Sequence, residues 1–246
     1  MTGCPPLGEA LETIEVEQPG AGELHELLDV QDTPSLWEAA TSDEALGRYR
    51  EAVSARLGGK IEPRDTLLAQ REVFAAFPGG AGEAANGTAL LEGRAGAIGP
   101  IRCLELLLWR RQAARYPMLE HPTEFGAYIL RSKDRVRVYF SSADRVGQKL
   151  RAEVRERVIA DRKAGFEVVA HLHNHPFLFD RVVGDRLWTT PETLRDVAGA
   201  VAPSKADVQA LRAMRETVGL QGAWVTNGLY TARFKADELD VLVAAE

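Results

Sequence analysis

The stretch FEVVAHLHNHPF, from Phe166 to Phe177, constrains this chain more than any other. An apolar opening reads as a strand, and it runs into His171, His173 and His175, one at every second position, before Pro176. Side chains on a strand alternate between its two faces, so the three imidazoles share one face. The chain has 5 histidines in all, and three of them fall here. Any sheet built around this strand must bury its apolar start and accommodate a row of imidazole at its end.

At 246 residues the chain can bury one large core or two small ones. Its net charge of −6 argues against broad, unspecific nucleic-acid binding. The opening residues, MTGCPPLGEALETIEVEQPG, carry no basic start and no apolar core of signal-peptide length. No run of about 18 apolar residues occurs either, so no membrane span is expected. Cys4 falls in an expected tail and Cys103 in an apolar helix, where it reads as buried and inert. No disulfide framework is expected from such a pair, and the expected location is cytoplasmic. Two cysteines cannot supply a cysteine-rich zinc site, so any metal rests on His, Asp and Glu.

Residues 1–32 are acidic, contain Pro and Gly without a period, and read as a flexible tail. TPSLWEAATSDEALGRYREAVSARLGG predicts one or two helices, with Ser42 or Asp43 capping and Gly58-Gly59 ending the second. RDTLLAQREVFAAF predicts another, and PGGAGEAANG reads as a glycine-rich linker that closes a helical N-terminal region over 33–87. Over residues 95–246 the order is helix (GPIRCLELLLWRRQAARYP), two strands (TEFGAYILR and RVRVYFS) and a helix capped by Asp144 and stopped by Gly165. The histidine strand, a helix capped by Ser204 and closing strands in GAWVTNGLYTARF complete it. The expected fold class is therefore α/β in the α+β sense, a mixed sheet flanked by helices.

Two histidines at positions i and i+2 of a strand stand roughly 6–7 Å apart at their Cα atoms, a span that zinc–nitrogen bonds of about 2.0–2.1 Å can close. A catalytic zinc needs a third protein ligand. Downstream, PSKAD offers Ser204 and Asp207 in the first turn of a helix, and upstream Glu124 opens a strand that can lie beside the histidines.

HNHP followed by PSKAD, with EFGAYIL some fifty residues earlier, resembles the JAMM (MPN-plus, JAB-type) zinc metallopeptidases. The resemblance covers residues 95–246 and implies a JAMM/MPN-like domain. It implies that His173, His175 and Asp207 hold Zn2+, that Glu124 is the general base, and that Ser204 helps to hold the oxyanion. The implied activity is hydrolysis of a peptide or isopeptide bond in a protein or peptide substrate, next to a ubiquitin-like C-terminus in many members. The sequence departs from the family in the gap between His175 and Ser204, where FLFDRVVGDRLWTTPETLRDVAGAVA intervenes. This reads as an insertion over about 177–200, with Phe177, Phe179 and Trp188 available to line a substrate channel. It also brings Asp180, Asp185 and Asp196 forward as rival third ligands.

Plainer readings stand beside each signal. Three alternating histidines can be a hydrogen-bonded polar face without metal, Ser-x-x-Asp is also a capping signal, and Glu124 can be a solvated strand-edge residue. His171 can pair with His173 in place of His175, although the proline after His175 favours the later pair and leaves His171 as packing behind it. A second functional reading is a non-catalytic MPN-like interaction module. A third is a DNA-repair-associated relative, against which the acidic pI counts.

Overall fold

The computed structural model describes residues 4, 11–40, 43–76, 78–144, 152–177, 182–183, 186–187 and 199–245. Strands β1 (Glu12–Glu17) and β2 (Leu24–Gln31) come first, then helices α1 (Pro34–Trp37), α2 (Glu44–Arg56), α3 (Pro63–Ala75) and α4 (Ala81–Leu91). They are followed by β3 (Ala97–Pro100), α5 (Cys103–Arg115), β4 (Phe125–Arg131), β5 (Arg135–Ser142), α6 (Ala152–Lys163) and β6 (Glu167–Asn174). The short β7 (Val182–Val183) and β8 (Arg186–Leu187) precede α7 (Lys205–Val218), β9 (Gly222–Thr226), β10 (Tyr230–Lys235) and a 3-10 turn at Glu238–Val241.

The class is mixed α/β. Eight strands form one sheet in the order β1-β2-β5-β4-β6-β9-β10-β3. Among these pairings β6 and β9 alone run parallel. A parallel pair needs a crossover, and α7 supplies it. The start of α7 therefore returns to the end of β6 that carries His173. One face of the sheet packs on α1, α2 and α5 through Leu28, Ile129, Val138 and Leu172. The other packs on α6, α7 and α4 through Leu130, Val168, Val225 and Phe234. Among the described residues no helix is long and apolar enough to cross a membrane.

The expected elements over 95–246 form, and Asp43 accepts from the Leu46 backbone N–H to cap α2 as expected. Ser42 and the start of the helix expected from Asp144 lie outside the described residues.

Three expectations about the N-terminal part are corrected. The tail assigned to 1–32 contains β1 and β2, and β2 pairs with β5 along its whole length, Leu24 opposite Ser142 and Gln31 opposite Arg135. Its acids misled because their partners are remote in sequence. Glu26 accepts from Arg111, and Asp29 from Arg135 and Arg137, so both carboxylates sit buried in the strand.

The glycine-rich linker is also a helix. A Cβ on Gly80 would lie 2.4 Å from the carbonyl oxygen of Phe74, so the glycine there permits close packing of α3 and α4. Finally, Cys4 and Cys103 form a disulfide that pins residue 4 to the start of α5. With that bond in place, the cysteines no longer argue for a cytoplasmic location.

The helical region therefore packs into the rest of the chain. Asn86 of α4 is buried, donates to the carbonyls of Pro203 (3.2 Å) and Val243 (3.0 Å), and accepts from the Val243 N–H (2.7 Å). Replacing Asn86 by Ala strands these groups and is expected to cost about 1–3 kcal/mol in chemical denaturation. A linker residue would leave the midpoint unmoved.

Candidate metal centre

The apolar residues of β6 seat it between β4 and β9, with Gly126 opposite His173 and Val225 beyond. The pairing outlasts the strand by one bond, since the His175 N–H donates to the Thr226 carbonyl at 2.8 Å. His175 is thus held in register although Pro176 follows it.

Asp207 arrives from α7. Ser204 caps that helix by accepting from the Asp207 N–H at 3.1 Å, while Asp207 Oδ2 accepts from the Ser204 N–H at 2.8 Å and from its hydroxyl at 2.7 Å. This capping box fixes the carboxylate relative to the helix axis. Glu83 of α4 adds a fourth bond at the same helix end, accepting from the Lys205 N–H at 2.8 Å.

Three donor atoms now face one another. His173 Nε2 and His175 Nε2 are 3.2 Å apart, and Asp207 Oδ2 lies 3.5 Å from the first and 3.3 Å from the second. A tetrahedral zinc with bonds of about 2.0–2.1 Å separates its donors by about 3.3 Å. The triangle therefore has the size of one face of that tetrahedron.

The tautomer of His175 agrees with this. Its Nδ1 lies 3.0 Å from the Ala200 carbonyl, which can only accept, so Nδ1 carries a proton and the neutral ring turns the Nε2 lone pair to the centre. Two imidazole nitrogens and a carboxylate oxygen form a donor set that zinc and other first-row divalent ions accept. The cluster can hold a metal ion.

Electrostatics in the metal-free protein follow from the same contacts. Burial disfavours charge on His175, but the hydrogen bond and charge of Asp207, helped by the Glu124 carboxylate, outweigh it and push the imidazole up to about 9. Burial likewise opposes charge on Asp207, and the adjoining imidazoles overcome it, holding the carboxyl well below the ordinary range. His171 behaves in the opposite way. Burial, reinforced by His173, lowers it to about 3. Its ring sits 5.3 Å from Tyr128 in an edge-on contact, and it takes no part in the triangle.

Glu124 immediately precedes β4, two residues from Gly126, and its charge acts on His175. No family model, curated protein or solved structure matches the chain. The roles of these residues rest on their geometry.

The structure thus brings together His173, His175 and Asp207, with Ser204 bonded to the third and the charge of Glu124 acting on the second. Phe177, expected to line a channel, is instead fully buried against Tyr49, and a Cβ on Gly199 would lie 2.2 Å from its ring. Phe179, Trp188, Asp180, Asp185 and Asp196 lie outside the described residues. Sequence reasoning passed over Asn174, Gln112 and the Ala200 carbonyl, because each acts through a backbone contact that has no sequence signature.

An imidazole must lose its second proton to bind a metal, whereas Asp207 and its neighbours push His175 up to about 9 in the metal-free protein. Ion binding near neutral pH is therefore expected to release about one proton, and affinity should rise roughly tenfold per pH unit towards that value. Calorimetry in buffers of different ionisation enthalpy counts the protons. Binding without proton release would remove His175 from the ligand set.

Proposed function

We propose that this chain is a zinc-dependent hydrolase of JAMM type, cleaving a peptide or isopeptide bond in a protein or peptide substrate. One observation carries the reading: two imidazole nitrogens and a carboxylate oxygen stand 3.2–3.5 Å apart, at tetrahedral spacing, with a further carboxylate acting on the same site. Bound among them, zinc would polarise the scissile carbonyl and bring the pKa of a water near to 7.

The chain's own residues do the rest. His173, His175 and Asp207 hold the ion, and the Ala200 carbonyl keeps His175 in the binding tautomer. Glu124 takes a proton from the attacking water and passes it to the leaving amine. Ser204 directs its hydroxyl to Asp207 Oδ2, so its place in this reading is to hold the ligand, and the oxyanion role expected for it would require that bond to open. Asp207 keeps 27% of its side-chain surface exposed while both imidazoles are nearly enclosed, so water and substrate would approach from the side of the carboxylate. A ubiquitin-like C-terminus on the substrate is what the JAMM resemblance adds.

Elemental analysis is expected to find one zinc per chain in the wild type and none in Asp207→Ala. Glu124→Gln should keep the zinc while hydrolysis of the substrate falls by about a hundredfold or more. Zinc retained in Asp207→Ala would move the third ligand elsewhere, and full activity in Glu124→Gln would remove the assigned base. A wild type without zinc after supplementation would leave the non-catalytic interaction module.

A further inference from the structure

Asn174 stands between the two histidines of the centre and is fully buried. Its Oδ1 accepts from the Phe125 N–H at 2.7 Å, and its Nδ2 donates to the Thr123 carbonyl at 2.9 Å. These two backbone groups flank Glu124. The Thr123 carbonyl lies in the peptide plane that enters Glu124, and the Phe125 N–H lies in the plane that leaves it.

The two soft torsions of a residue are the rotations that relate these planes. A side chain bonded to both fixes the backbone of Glu124 and with it the direction of its Cα–Cβ bond. Gln112 supports the same arrangement, donating to Thr123 Oγ1 at 2.7 Å and to the Glu124 carbonyl at 3.2 Å.

The task needs one acceptor and one donor a short reach from the strand. An asparagine amide provides both, whereas an aspartate carboxylate lacks the donor.

The geometry points to Asn174 as the positioning residue of Glu124: its amide pins both peptide planes around that residue and aims the carboxylate at the centre from the same strand that carries the histidine ligands. This assignment rests on the metal-hydrolase reading of the site. It gives the residue between the histidines a task separate from metal binding. The bond runs across the β4–β6 pairing, so the spacing of the base from the two histidine ligands is set inside the sheet.

The test uses the full chain loaded with Co2+ in place of zinc, whose visible spectrum reports the coordination sphere and its change with pH. The wild type should bind one cobalt and show a pH-dependent transition. Glu124→Gln should move the midpoint of that transition by about half a unit or more. Asn174→Ala should keep one cobalt per chain and move the midpoint in the same direction. The double variant should match Glu124→Gln alone, because Asn174 acts through Glu124. Asn174→Asp, which keeps the acceptor and loses the donor, should shift the midpoint as well, and it carries the test if the alanine variant does not melt cooperatively.

A wild-type midpoint in the Asn174 variants, a shift that adds to that of Glu124→Gln, or loss of cobalt from Asn174→Ala each overturns the assignment. Absence of a cobalt spectrum in the wild type overturns the metal reading itself, before any variant is made.

Discussion

The arrangement of the site depends on a single carboxylate oxygen. Asp207 Oδ2 accepts from the Ser204 N–H and hydroxyl at 2.8 and 2.7 Å and faces two imidazole nitrogens at 3.3 and 3.5 Å. An isolated carboxylate in so enclosed a position would be costly, since burial removes its hydration. Here each lost water is replaced by a fixed donor, and the N-terminus of α7 adds favourable potential. Without metal, the remaining positive charge comes from the proton that His175 holds up to about pH 9. A divalent ion would take over that role with little rearrangement, because the donors already stand at coordination distance from one another.

The fold supplies this convergence from several directions. The parallel pairing of β6 with β9 obliges α7 to begin where β6 ends. The turn after β9 then fixes the approach to that helix. Asn227 donates to the Gly199 carbonyl at 2.7 Å and accepts from the N–H groups of Leu229 and Tyr230 at 3.0 and 2.8 Å. Holding Gly199 places the next carbonyl, that of Ala200, against His175 Nδ1. From the opposite side, Glu83 and Asn86 of α4 bond Lys205 and Pro203 around the Ser204 cap. Residues 81–91, outside the region that resembles the JAMM enzymes, thus brace the helix that bears the third candidate ligand.

Local signals in the sequence were enough for much of this. The histidine strand, the Ser204 cap and the hairpins at 125–142 and 222–235 are each specified by neighbouring residues through alternation, capping and turn chemistry. What escaped was specified by distant partners. β2 reads as acidic tail because the arginines that neutralise Glu26 and Asp29 lie at 111, 135 and 137. α4 reads as linker because its glycines suit close packing as well as flexibility, and the sequence does not contain the neighbour that decides. Phe177 reads as channel-lining because an aromatic in a long connection has no mark of burial, whereas Tyr49 and Gly199 enclose it. The Cys4–Cys103 bond has no local mark for the same reason, since the two cysteines are 99 residues apart in sequence and meet only through the packing of the first residues.

The three histidines themselves show most clearly why spacing alone could not identify the ligands. They recur at equal intervals on one strand, so the period permits His171 with His173 as readily as His173 with His175. Environment separates them. His175 lies where Asp207 and Glu124 favour a positive charge, and it is pushed up to about 9. His171, one step deeper, meets the edge of Tyr128 and the repulsion of His173, and burial lowers it to about 3. The row therefore changes from a charge-bearing end at the carboxylates to a neutral end inside the core. The carboxylates that raise His175 thus lie at the same end of the row as the His173, His175 and Asp207 donor triangle.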